Sequence, residues 1–319
     1  MRRLVRYLKL ALVIVLIPVC VACTRSAPSA IFTPTPSQPT SAPTPVFDRA
    51  KLGTVERDLT YCTGDGIALK LDMHYPQEMD GPEPVVMWVH GGSWSSGSKS
   101  SGPGMADVPE LLARGYVVAA VDYRLAPQYE FPAQIEDVKC AIRFLRANAS
   151  QFNLKPDRIG VWGHSAGGHL VALLGTTDAS AGFEGSGGYA DQSTHVQAVV
   201  DMSGPTDLRG MPSGLAESVF GAKDSFSDIL KRASPTTYIS KDDPPFLILQ
   251  GDRDTSVPPS QSQILYDRLK AAGVPATLVM VKNAEHSLEP VGGDISPTRT
   301  ELTQLIADFF DRHLRSRQQ

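Results

Sequence analysis

Ile159-Gly160-Val161-Trp162-Gly163-His164-Ser165-Ala166-Gly167-Gly168-His169-Leu170-Val171-Ala172-Leu173-Leu174 decides the fold. Its first residues are a short apolar run, its last a helix-like apolar stretch, and Gly163-His164-Ser165-Ala166-Gly167 sits at the junction. The pattern predicts a strand, a sharp turn and a helix with a serine at the apex. A serine hydroxyl becomes a useful nucleophile only when a base takes its proton and fixed donors meet the developing oxyanion. Such an elbow exposes the hydroxyl, and the helix start aims backbone N–H groups at the reacting carbon.

Outward from this junction, Val85–Val89, Tyr116–Val121, Ala198–Met202, Phe246–Leu249 and Thr277–Val281 are further short continuous apolar runs. Helical patterns at Ala133–Ala147, Gln261–Ala272 and Pro297–Leu314 alternate with several of them. Continuous apolar strands interleaved with helices predict an α/β fold: a mostly parallel sheet with helices on both faces. The alternation in Ile67–Met73, preceded by Thr63-Gly64-Asp65-Gly66, adds an antiparallel N-terminal hairpin at the sheet edge. Ligands of such sheets bind at the carboxyl ends of the strands.

The candidate chemistry falls at those ends. Ser165 needs a base and the base an orienting acid, expected in the order Ser, Asp, His. Asp252, Asp254 and His286 follow the last two apolar runs. Asp254 is preferred as the acid, because Asp252 stands at the tight strand exit, where a turn aspartate bonds local backbone; Glu285 is a third candidate. His90-Gly91-Gly92-Ser93-Trp94 follows Val89, and its glycines permit N–H groups to point into a cavity. The expected oxyanion hole is therefore the N–H of Ala166 with those of Gly92 and Ser93, each donor worth about 3 kcal/mol of barrier. Trp94 is read as a wall of the acyl or leaving-group pocket, with plain packing as the alternative. His164 is read as pocket lining, His169 as helix packing and His90 as a brace of its loop. His74, His195 and His313 have no partner pattern. No histidine pair has metal-ligand spacing with supporting cysteines or acids, so neither metal nor cofactor is expected.

The chain from about Val55 onward resembles the α/β-hydrolase superfamily, in the branch of small carboxylesterases and carbohydrate feruloyl or acetyl esterases. The resemblance rests on His90-Gly91-Gly92-Ser93-Trp94, Gly163 to Gly168, Asp122 to Pro127, Phe131 to Asp137, Ser203 to Leu208 and Gly251 to Val257. It implies Ser165, Asp254 and His286 as the triad, the set already reached from placement. Ser93 stands where the related hormone-sensitive-lipase pattern has a third glycine. The expected function is hydrolysis of short acyl esters, or of acetyl or feruloyl esters of carbohydrate, through an acyl-enzyme. An exported peptidase or arylformamidase on the same triad is the alternative; a non-catalytic surface binding protein would lack a triad member.

The first residues of the chain carry an address. Arg2, Arg3, Arg6 and Lys9 precede the apolar run Leu10–Val19, and Val21-Ala22-Cys23 resembles a bacterial lipobox with Cys20 in place of the usual leucine. The expected organisation is a lipoprotein-type signal peptide at 1–23 with lipidation at Cys23, an ordinary cleaved signal peptide or a retained N-terminal anchor being the alternatives, a Ser/Thr/Pro-rich linker at 24–49, and a catalytic domain at 50–319. This makes an exported, membrane-anchored protein of the cell envelope. The linker composition cannot bury enough apolar surface to offset its ordering entropy. A formal net charge of −4 with mixed signs excludes the basic face of a nucleic-acid binder. The partner is an ester substrate, small or polymeric. Export permits a bond between Cys62 and Cys140, but Cys140 sits in an amphipathic helix pattern that equally suits a buried thiol, so no bridge is assigned. Residues Asp178–Thr194 and Gly210–Ser234 are expected to form a partial cap over an open cleft, with exposed loops of no consequence as the alternative.

Overall fold

The computed structural model describes residues 47–315. The signal peptide, Cys23 and the linker up to Val46 lie outside the described residues. Phe47, Asp48 and Arg49, assigned to the linker from sequence, belong to the folded body. Phe47 packs on Tyr75 at 5.4 Å, Asp48 caps the turn Arg49–Lys51, and the Arg49 guanidinium donates to the Met79 carbonyl.

One eight-stranded sheet organises the rest: β1 (Val55–Gly64), β2 (Ile67–His74), β3 (Glu83–Val89), β4 (Val117–Val121), β5 (Leu154–His164), β6 (Ala198–Met202), β7 (Phe246–Gly251) and β8 (Ala276–Val281). Their order is β1-β2-β4-β3-β5-β6-β7-β8. The β1–β2 and β2–β4 pairings are antiparallel and all others are parallel. The helices are α1 (Val108–Ala113), α2 (Ala133–Ala147), α3 (Ala149–Phe152), α4 (Ala166–Thr176), α5 (Ser213–Phe220), α6 (Asp228–Ala233), α7 (Ser260–Ala271) and α8 (Arg299–Phe310).

The continuous apolar runs are explained by burial on both faces. In β3, Val85, Met87 and Val89 enter the core shared with α2, α4 and α7, whereas Val86 and Trp88 enter the second core with α1 and α8. On that second face Trp88 meets Trp162 at 5.3 Å, and Phe310 of α8 closes on Trp162 at 6.4 Å. α8 starts on a capping box in which Thr298 and Glu301 satisfy each other's backbone N–H.

The sulfurs of Cys62 on β1 and Cys140 on α2, whose pairing the sequence leaves open, are joined in a disulfide. α2 is not amphipathic in the simple sense the sequence suggests, for its residues Ala133 to Leu145 are buried apart from Glu136. The turn of α2 bearing Cys140 faces β1, and its polar side is covered by residues 178–195. There Lys139 Nζ meets Glu184 at 2.7 Å and the Thr177 carbonyl at 3.2 Å, Arg143 meets Glu184 at 2.8 Å and Gly188 O at 3.0 Å, and Arg146 reaches the carbonyls of Ser193 and His195. This segment lies against α2 and the C-terminal end of α4, the end away from Ser165. It is a clamp on the body, not the part of a cap that the sequence reading made of it. The Gly210–Ser234 segment, by contrast, borders the first turn of α4.

Candidate active site

Ser165 ends β5 and begins α4 with φ 57° and ψ −120°. A non-glycine residue in this region is strained, and the surroundings must enforce it. Close approach does so: a Cβ on Gly167 would lie 2.0 Å from the Val89 carbonyl oxygen, and one on Gly91 would lie 3.2 Å from the Ser165 Cβ. Only glycine at these positions lets the helix start, the end of β3 and the following loop meet. The N–H of Ser165 is held by the Met202 carbonyl at 2.8 Å.

The loops after β7 and β8 bring the other expected residues to this point. His286 Nε2 lies 2.9 Å from Ser165 Oγ, and its Nδ1 lies 2.8 Å from Asp254 Oδ2. The Asp254 side chain is fully buried. Burial acts to raise its pKa, but hydrogen bonds to His286, the Val257 N–H and Gln250 outweigh burial and hold the carboxyl below its ordinary value. Oδ1 accepts from the N–H groups of Ser256 and Val257, both at 2.8 Å, and Oδ2 accepts from Gln250 Nε2 at 2.9 Å. Neither rival acid joins this row. Asp252 faces Arg253 at the surface, and the Glu285 carboxylate accepts the Ser287 N–H.

Gln250 is a positioning residue that sequence reading passed over. It is fully buried at the end of β7, and Ser262 on α7 donates to its Oε1 at 2.8 Å. That fixes which way its amide points and so turns the N–H toward Asp254. The available signal was a polar residue terminating the apolar run Phe246–Leu249.

The N–H groups of Gly92, Ser93 and Ala166 find no acceptor among the described residues. Gly91 packs against the serine, and the loop after it turns back on itself, with the N–H groups of Ser95 and Ser96 donating to the Gly92 carbonyl at 3.0 Å. His90 braces this loop as expected, its Nδ1–H donating to Gly91 O at 2.7 Å while its ring stacks on Tyr123 at 4.3 Å.

Two readings need correction. Trp94 does not wall an open pocket: it is 3% exposed, with its ring edge-on to His169 at 5.1 Å and to Phe220 at 5.2 Å. His164 does not line a pocket either. It is buried beneath the His286 loop, where Nε2–H donates to the His286 carbonyl at 2.9 Å and the two rings lie 4.8 Å apart. Burial pushes its pKa down to about 4, so it is a neutral prop for the loop that carries His286.

Comparison with known proteins agrees with this fold. The family model designated BD-FAE matches residues 71–269. The esterase LipC of Mycobacterium tuberculosis (strain ATCC 25618 / H37Rv) is 34% identical over 273 residues, which are 80% of this chain and 65% of LipC. The chain spans less than two thirds of the length of the curated relatives it matches, 65% for LipC and 59% for the probable carboxylic ester hydrolase LipM. Among solved structures, a truncated carbohydrate esterase from gut microbiota superposes with a TM-score of 0.70 at 28% identity, covering 85% of this chain and all of that one. The thermophilic esterase Est2 of Thermogutta terrifontis, with propionate bound, gives 0.68 at 25% identity over 82% of this chain and 94% of its own. The family model covers more than half of the chain, on a sheet of matching architecture: the chain belongs to the BD-FAE family of α/β-hydrolase esterases.

Proposed function

We propose that this chain is a serine carboxylic-ester hydrolase working through an acyl-enzyme. The observation that carries the reading is the unbroken row Ser165 Oγ, His286 Nε2, His286 Nδ1, Asp254 Oδ2, with spacings of 2.9 and 2.8 Å. His286 takes the hydroxyl proton as the oxygen attacks the ester carbonyl, and Asp254 holds the imidazole in the needed tautomer and stabilises its charged form. The carbonyl oxygen, now negative, is met by the free N–H groups of Ala166, Gly92 and Ser93. Collapse of the tetrahedral intermediate expels the alcohol, which takes the proton from His286. Water then repeats the sequence on the acyl-serine and releases the acid.

The substrate class we infer is a short acyl ester, acetyl or feruloyl, carried by a carbohydrate. The gut carbohydrate esterase and the propionate-bound Est2 among the structural relatives support it. The protein acts outside the cytoplasm, tethered through a lipid on Cys23. Support comes from the basic and apolar start of the chain and from the Cys62–Cys140 bond, which belongs to oxidising compartments. The test is hydrolysis of nitrophenyl acetate and butyrate, acetylated xylan, feruloylated xylan, an aryl formamide and a dipeptide by the purified chain. Release of acid from the small esters, absent in Ser165→Ala, supports the hydrolase reading, and release from either xylan supports the carbohydrate assignment. Activity on formamides or dipeptides with none on esters overturns both.

A further inference from the structure

The motif that presents Ser165 ends in an imidazole with no part in the proton transfers above. His169 stands one turn along α4 and is fully buried. Its Nδ1 accepts the Trp94 indole N–H at 3.1 Å, and its Nε2 lies 2.8 Å from the Ala233 carbonyl at the end of α6. An indole nitrogen only donates and a carbonyl only accepts, so one tautomer alone completes both bonds: a bare Nδ1 and a protonated Nε2. Burial pushes its pKa down to about 4, which keeps the ring neutral and the chain of bonds intended in one sense.

The other end of this chain of bonds is the loop after β3. Ser93 and Trp94 both have positive φ, 51° and 58°. Two consecutive side-chain-bearing residues in the left-handed region do not hold that conformation by themselves, least of all with an indole on one of them. The free N–H groups of Gly92 and Ser93 are in this strained stretch. Two contacts fix it from the Trp94 side: the Trp94 carbonyl accepts the Ala126 N–H at 2.9 Å, and the indole is pinned between His169 and Phe220.

We propose that His169 is a positioning residue for the oxyanion-binding loop: wedged between the Trp94 indole and the Ala233 carbonyl, it sets the Gly92 and Ser93 N–H groups relative to Ser165 and ties them to α6. The inference rests on the esterase reading. It makes the Gly210–Ser234 segment a setting for transition-state stabilisation, since the last residue of α6 reaches the loop through a single side chain.

The test uses the full chain. His169→Phe keeps the ring and removes both bonds; kcat for nitrophenyl acetate is expected to fall about tenfold or more, with KM changed by less than about threefold. His169→Gln, whose oxygen can face the indole and whose amide N–H can face the carbonyl, is expected to recover much of the loss. Trp94→Phe should reproduce the fall in kcat, and the double variant should be no slower than the worse single one, because both remove the same link. An unchanged kcat in His169→Phe, a fall in thermal midpoint alone, or losses that multiply in the double variant overturns the proposal. Should His169→Phe fail to fold, His169→Gln and Trp94→Phe decide it: full rates in Trp94→Phe overturn it. If the unaltered chain hydrolyses no ester, the esterase reading has failed, and the link is judged by the Trp94 indole N–H resonance, one of three in the chain. A slowly exchanging signal that moves in His169→Gln supports the link, and a freely exchanging one overturns it.

Discussion

The segments Asp178–Thr194 and Gly210–Ser234 both follow elements that border Ser165, α4 and β6, but the first is rich in Gly, Ser and Ala whereas the second carries Met211, Leu215, Val219, Phe220, Phe226, Ile229 and Leu230. The fold uses them differently. The first is bolted to the body by Glu184 against the buried Lys139 and Arg143, close to the Cys62–Cys140 bond. The second carries Phe220 and the Ala233 carbonyl to Trp94 and His169, one turn from Ser165. Ionic and covalent fastening gathers at one end of α4, and neutral imidazoles with free N–H groups gather at the other. Stability and chemistry are therefore separable along a single helix, and substitutions at the two ends should sort into two classes.

The sharpest test removes the hydroxyl. Ser165→Ala should lower kcat on nitrophenyl acetate by about 10⁵-fold or more while the melting curve stays within a degree or two. Asp254→Asn should cost about 10⁴-fold in kcat, because an amide cannot hold the imidazole in the required tautomer. At the other end the signs exchange. Replacing Cys62 and Cys140 together by alanine opens a loop whose ends are 78 residues apart, and should cost about 4 kcal/mol in chemical denaturation with kcat per folded molecule unchanged. Glu184→Ala leaves the buried Lys139 ammonium without its carboxylate and should cost about 2 kcal/mol, again without loss of turnover. If either stability variant lowers kcat tenfold, the separation is broken.

The last expected effect is a pH slope. Asp201 on β6 is fully buried, and burial pushes its pKa up to about 7 although it accepts the Gly204 N–H at 2.9 Å. Between the unfolded value near 4 and this raised value the native state holds a proton that the unfolded chain has released. Stability therefore falls as pH rises through that window, by at most about 1.4 kcal/mol per pH unit, and is flat above it. Asp201→Asn should flatten this part of the profile in urea titrations from pH 4 to 8.

Much of this was legible in the sequence because each signal is local. A continuous apolar run reports burial on both faces, and Val85–Val89 reports it without any knowledge of the partner helices. The Gly163–Gly167 elbow and the loop positions of Asp254 and His286 follow from the same strand ends. What escaped depends on which distant surfaces meet. Cys140 reads as half of an amphipathic pattern until residues 178–195 cover the polar side of α2. Trp94 reads as a pocket wall until His169, 75 positions away, accepts its N–H. Gln250 and His164 act through a carboxylate and a carbonyl that other loops supply, and no periodicity marks either.

The contact between Gly167 and the Val89 carbonyl has a consequence for how such enzymes diversify. A side chain at Gly167 would push α4 away from β3, so the junction that places the attacking oxygen tolerates no added carbon. New selectivity has to be written elsewhere, in stretches whose length and composition can drift without disturbing that junction. The residues after β6 are such a stretch, and they already touch the machinery they would retune.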